Sequence, residues 1–269
     1  MSSTDDFASG SATWLSRLDN LRNVVRQEMV ARQLQRHLSP TARVLDVGAG
    51  QGTQARRLAE HGHTVTCIEP DPDMRKAFQT ALATAPADVG RRIELYAGAL
   101  GDLDGALGER TFDAVLCHGV LMYLPEPESA VRELATFVAA GGILSLVARN
   151  RDAMAWRPAL RGQWPAALAA LDELDAARAQ DRDARYRNEI GVDARADDHE
   201  HLIALCHAAG LSDVQWYGVR VASDGVPVDE PVPEDPATLE ALLAVEERLG
   251  ERDPYRRLGT LVHVLARRR

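Results

Sequence analysis

The stretch Val44-Leu45-Asp46-Val47-Gly48-Ala49-Gly50-Gln51-Gly52 constrains this chain more than any other. A short apolar run ends in three glycines spaced two apart, and the residues from Gln54 to Glu60 then read as helix. Glycine at the end of a buried strand lets the backbone turn tightly, approach a ligand and aim a helix N-terminus at it. A strand feeding a helix through such a turn belongs to a parallel sheet, where a crossover must return the chain to the sheet.

The remaining periodicity agrees. Residues 1–13 are small and polar and are expected to be disordered. From Trp14 to His37, Leu18, Leu21, Val25, Met29 and Leu34 recur at helical spacing. Strands are expected at His63 to Glu69, Ile93 to Gly98, Phe112 to His118 and Ile143 to Ala148. Between them fall helices from Asp73 to Thr84 and Glu128 to Ala139, with Gly141-Gly142 as a turn. Residues 151–200 interrupt this alternation with an alanine-rich stretch lacking any β-branched run, expected to be an inserted helical cap or lid. A helix from His199 to Ala209, a strand from Val214 to Val221, a helix from Ala237 to Leu249 and a strand from Thr260 to Ala266 complete the pattern. The expected fold is α/β: a Rossmann-like, doubly wound, mostly parallel seven-stranded sheet with a cap insertion. Its core comprises residues 14–150, the cap 151–200, and 201–269 complete the sheet.

Composition narrows the function. The 269 residues carry 31 Lys+Arg against 40 Asp+Glu, a net charge of -9, which argues against a DNA-coating role. No run of about 18 apolar residues is present and the N-terminus lacks a basic flank and apolar stretch, so neither a membrane span nor a secretory signal is expected. Cys67, Cys117 and Cys206 are too scattered for a disulfide framework or a zinc cluster; a reduced, cytoplasmic setting and no metal are expected. Lys76 is the only lysine, a skew that GC-rich codon usage produces everywhere, so only local clusters of arginine are informative.

Thr53 stands where a dinucleotide fingerprint would place its third glycine, and Asp46 precedes the turn, where its carboxylate would repel a pyrophosphate. Glu69 ends the next strand, placed to hold two ribose hydroxyls. Together these residues resemble the fingerprint of class I S-adenosylmethionine-dependent methyltransferases, over roughly residues 40–148. The family's cofactor is cationic at sulfur and amine and has no phosphate, which suits an acid in the turn. The resemblance implies that Gly48, Ala49 and Gly50 cradle its amino-acid portion and that Glu69 takes the ribose, with Asp46 and Gly52 also in the cofactor site. Pro70 and Met74 would lie beside ribose and adenine, with Ala99 and Leu100 lining the adenine pocket. His118, Gly119 and Tyr123 would complete the cofactor site, with S-adenosylhomocysteine as the product.

The acceptor side is expected in the residues just beyond the fourth and fifth strands. His118 sits at a carboxyl strand end, as a general base or a cofactor-packing residue. Arg149, Asn150, Arg151, Trp156 and Arg157 cluster beyond the fifth strand, where guanidinium forks suit an anionic acceptor and Trp156 or Trp164 suits a planar ring. His118 to Pro127, the Gly141-to-Leu146 strand with Asn150, Tyr217-Gly218-Val219-Arg220-Val221, Asp253-Pro254-Tyr255 and His263-Val264 are similar to one subfamily, the tRNA 5-carboxymethoxyuridine methyltransferases. That resemblance places Arg26 at the cofactor's carboxylate. It implies methyl esterification of a carboxylate on a wobble uridine, clamped by arginines from the set Arg149, Arg151, Arg157 and Arg220, with Tyr255 among the acceptor contacts. A carboxylate with a pKa of about 4 is already ionised and needs no base. The segment from Ala176 to Arg185 alternates in sign where that subfamily has a lysine-rich loop. A small anionic metabolite under a mobile lid, and a cofactor-binding protein without catalysis, are the alternative readings.

Other polar clusters read as structural. Asp197 or Asp198 suits a helix N-cap, with His199 and His201 on different sides of the helix. His61 and His63 flank Gly62 in an exposed turn, and Cys117 is a buried strand residue.

Overall fold

The computed structural model describes residues 20–188 and 191–269, so the expected disordered segment 1–13 and the expected helical residues 14–19 lie outside them. The leading helix α1 spans Leu21–Gln35, with the Asn20 side chain accepting from Asn23 N–H as its N-cap. Its apolar stripe of Leu21, Val25 and Met29 packs on Val147, Val219 and Leu243.

Strand β1 (Arg43–Val47) enters the glycine turn and α2 (Thr53–Glu60) leaves it. Next come β2 (Thr64–Glu69), α3 (Pro72–Ala83), a short α4 (Ala87–Gly90), β3 (Ile93–Ala97), a short α5 (Leu103–Leu107) and β4 (Phe112–His118). α6 (Pro127–Thr136) leads into β5 (Val138–Arg149). Gly141-Gly142, expected as a turn, lies within β5, where the pairing with β4 shifts register. A Cβ on Gly142 would stand 2.9–3.0 Å from three carbonyl oxygens, so glycine admits the kink that lets the strand run on. His63, expected to be exposed, is fully buried; its Nδ1 accepts from Ala42 N–H at 3.0 Å.

The cap contributes α7 (Trp156–Leu160), α8 (Trp164–Ala179), β6 (Ala184–Arg187) and β7 (Asp193–Ala196). Beyond α9 (His199–Ala208), β8 (Ser212–Val219), α10 (Pro236–Gly250) and β9 (Leu261–Arg267) complete the sheet. The seven strands run in the order β3-β2-β1-β4-β5-β9-β8, with β1 to β5 parallel and β9 antiparallel to both neighbours. This is the expected doubly wound sheet. The chain reverses direction of winding between β1 and β4, and open α/β sheets bind ligands at that crevice.

The cap is not helical throughout, because β6 and β7 form an antiparallel hairpin. Its strands are short and rich in Ala and Arg, so pattern alone argues against them, and tertiary contacts hold them instead. Ala184 and Ala196 are buried against Met154 and Ala177. The buried Arg195 donates to Leu121 O and Leu124 O at 3.0 Å each and pairs with Asp197 Oδ1 at 2.9 Å. Asp198 is the N-cap of α9, accepting from His201 N–H at 2.6 Å, whereas Asp197 serves the cap.

Candidate active site

A cavity of about 620 Å³ opens at the carboxyl ends of β1, β2, β4 and β5, between the sheet, α1 and the cap. Gly48 and Gly50 have left-handed φ values of +75° and +58°. A Cβ on Gly48 would fall 2.3 Å from Val120 Cγ2, whereas one on Gly50 would meet nothing within 4 Å. Gly50 N–H donates to Glu69 Oε2 at 2.7 Å, and Asp71 N–H donates to Glu69 Oε1 at 2.9 Å. Glu69 thereby ties the loop to the end of β2 while its oxygens retain capacity for further donors. Burial raises its pKa. Asp46, at the same end of the cavity, is raised to about 7 by burial and then by Glu69.

The opposite wall is basic. Arg22 and Arg26 from α1, Arg149 from the end of β5, Arg157 and Arg161 near α7, Arg187 from β6 and Arg220 after β8 all line the cavity. Burial, then the neighbouring Arg220, lowers the pKa of Arg26 to about 10. Arg149 lies over the Tyr186 ring with its guanidinium carbon 5.3 Å from the centroid. Asn188 Nδ2 donates to the Tyr123 hydroxyl at 2.9 Å, joining the cap to the turn after β4.

Behind His118 runs a buried chain of hydrogen bonds. Ser145 Oγ lies 2.8 Å from both His118 Nε2 and His263 Nε2, and His263 Nδ1 lies 2.7 Å from Gln33 Oε1. Gln33 Nε2 donates to Gly218 O at 3.5 Å, so its oxygen is the acceptor for His263 Nδ1–H. His263 Nε2 then accepts from the Ser145 hydroxyl, and Ser145 accepts from His118 Nε2–H. His118 is thereby a neutral imidazole protonated at Nε2. Burial, then Arg26, lowers its pKa to about 3, which makes it a feeble proton acceptor and favours the packing role over the base.

Of the residues expected at the site, Arg26, Asp46, Gly48, Ala49, Gly50, Glu69, Pro70, Ala99, Leu100, His118, Gly119, Tyr123, Arg149, Arg157 and Arg220 meet in this cavity. Six others do not. Gly52 meets the Phe78 ring, which a Cβ would approach to 2.1 Å, so it serves packing. Met74 is fully buried in the first turn of α3, turned into the core. Asn150 Nδ2 donates to Arg257 O and Gly259 O, bracing the tail. Arg151 pairs with Asp198 at 2.5 Å. Trp156 and Tyr255 are exposed outside the cavity. Asp224, Tyr186 and the Ser145 relay were not signalled by the sequence, because none belongs to a local motif.

Residues 45–146 match the family model of a methyltransferase domain. The match spans β1 to β5 and so contains the glycine loop, Glu69 and His118. The chain is an S-adenosylmethionine-dependent methyltransferase. This methyltransferase is 27% identical over 249 residues to the tRNA 5-carboxymethoxyuridine methyltransferase of Escherichia coli, covering 91% of this chain and 88% of that protein. Its fold is shared with a methyltransferase from Thermotoga maritima (TM-score 0.60, 16% identity, 96% of each chain). It is shared also with the 1,6-didemethyltoxoflavin N1-methyltransferase of Burkholderia thailandensis, solved with S-adenosylhomocysteine (TM-score 0.56, 18% identity, 100% of this chain and 91% of that one). The residues present fit the cofactor: the space over Gly50 admits its backbone-hugging end, and Asp46 and Glu69 supply acceptors for cationic and hydroxyl groups. Among the described residues, no group of three or more His, Cys, Asp or Glu side chains is placed to hold a metal, and no helix is long and apolar enough to cross a membrane.

Proposed function

We propose that this methyltransferase O-methylates a carboxylate, and that the acceptor is 5-carboxymethoxyuridine in tRNA, which would place the enzyme in the cytoplasm. The observation that carries this reading is the polarity of the cavity: carboxylates at the glycine-loop end, guanidinium groups at the acceptor end. Bound there, S-adenosylmethionine supplies an electrophilic methyl group. The acids favour its positive charge, and Arg149, Arg157 and Arg220 orient an anion toward it. His118 packs without taking a proton, because an ionised carboxylate has none to give. The likeness to the Escherichia coli tRNA enzyme along nearly the whole chain supports the finer choice of acceptor.

The walling of the cavity by cap residues Tyr186, Arg187 and Asn188 favours a second reading, a small anionic metabolite enclosed beneath the cap. Labelled S-adenosylmethionine incubated with tRNA from a strain that accumulates carboxymethoxyuridine, and in parallel with a tRNA-free metabolite extract, separates the two. Base-labile label in tRNA is the expected result; label confined to small molecules transfers the acceptor to the second reading.

A further inference from the structure

Asp224 stands in the Pro-rich, acidic stretch after β8, yet its side chain is buried against Arg22 and Arg220, two residues of the cavity wall. Oδ1 accepts from Arg22 Nε at 3.0 Å and Oδ2 accepts from Arg220 at 3.1 Å, while the Thr260 hydroxyl also donates to Oδ2. Burial by itself would raise its pKa, but Arg220, Arg22, Arg157 and Arg149 together hold the carboxyl below its ordinary value. Two further features fix it in place. Buried Glu246, from α10, accepts backbone N–H bonds from Val221, Ala222 and Ser223 at 2.7, 3.0 and 2.6 Å, ordering the turn that carries Asp224. Arg220 adopts a left-handed φ of +59°, a strained choice for a residue with a Cβ, and thereby meets Asp224.

From this arrangement we infer that Asp224 is a specificity-determining residue that sets the charge class of the acceptor, admitting a monoanion such as a carboxylate and disfavouring a dianion such as a phosphate monoester. The inference rests on the anionic acceptor proposed above. Coulomb interaction scales with the charge of the guest: a dianion gains twice as much from the arginine wall, and loses twice as much to a fixed carboxylate behind it, so Asp224 offsets part of the advantage the arginines give a dianion. Asp224 also draws on Arg22 and Arg220, so a bound carboxylate is oriented without its nucleophilic lone pairs being over-committed.

The test uses the full chain saturated with S-adenosylhomocysteine and two probes, acetate and inorganic phosphate at pH 8. Binding is read from the linewidths of the 13C and 31P signals of the probes. The phosphate-to-acetate affinity ratio of the wild type is the reference. Asp224→Asn, which keeps the shape, is expected to gain about tenfold or more in phosphate affinity relative to acetate. Asp224→Ser also removes the carboxylate and is expected to shift the phosphate-to-acetate ratio in the same direction; it decides the matter if Asp224→Asn fails to fold. An unchanged phosphate-to-acetate ratio in the folded variants overturns the inference. Neither probe needs tRNA or turnover, so failure of the tRNA assay with the ratio shifted removes the nucleoside and leaves the charge selection standing.

Discussion

Gly50 N–H and Glu69 Oε2 are joined by a 2.7 Å hydrogen bond, so the glycine loop and the end of the second strand form one unit. The acid that we propose for the ribose hydroxyls is therefore also the acid that shapes the loop. On that proposal, loop geometry and ribose recognition are coupled through a single carboxylate.

Glu69→Ala removes both functions and is expected to weaken S-adenosylhomocysteine binding by about 10- to 100-fold, in line with about 1.5–3 kcal/mol for a hydrogen bond to a charged group. The melting midpoint should move little, since the sheet does not depend on this side chain. Calorimetric titration checks the first statement and thermal denaturation the second; unchanged affinity removes Glu69 from the ribose site.

Asp46 gives binding a pH dependence. In the empty site its proton is held up to about pH 7, whereas the unfolded chain releases it near 3.8. The folded state therefore loses stability as pH rises between these two values and loses no more above 7. A cationic ligand favours the ionised form, so cofactor binding is expected to release a proton below pH 7 and to tighten as pH rises toward 7, by up to about tenfold per unit, levelling off above it. Titration in buffers of different ionisation enthalpy reads the proton directly. Asp46→Asn should abolish both the release and the slope.

The Ser145 relay predicts a protonation state. His118 should carry its proton on Nε2 and stay neutral from pH 5 to 8, given a pKa lowered to about 3. Selective 15N labelling of histidine reads the tautomer from the ring nitrogen shifts. Ser145→Ala removes the acceptor for His118 Nε2–H and should mix the tautomers; a protonated Nδ1 in the wild type contradicts the relay.

Arg195 predicts the strength of the cap's attachment. Arg195→Ala leaves Asp197 and two carbonyls buried without their donor and is expected to destabilise the protein by about 3–5 kcal/mol. Urea denaturation measures the loss, and proteolysis should then cut first between 180 and 198.

What the sequence made legible was what depends on near neighbours. Strand, glycine turn and helix succeed one another within twenty residues, and Glu69 sits one strand later, so spacing alone foretold that the glycine loop and Glu69 share one end of the sheet. Met74 was misplaced because helix phase decides whether a side chain faces the ligand or the core, and the phase of α3 was set by the Asp71 cap. Asn150 looked available because its partners, the carbonyls of Arg257 and Gly259, lie more than a hundred residues away. Asp224 reads as one acid among several in a loop, and only folding brings it to Arg22, 202 residues distant.

The anchoring of β6–β7 to the turn after β4 has a kinetic consequence. Arg195 fixes the hairpin to Leu121 and Leu124, on either side of Met122 and Tyr123, so the cap and the turn after β4 are tied at one point of the cavity wall. Loosening that tie is expected to speed the entry and exit of a guest as well as to weaken the cap.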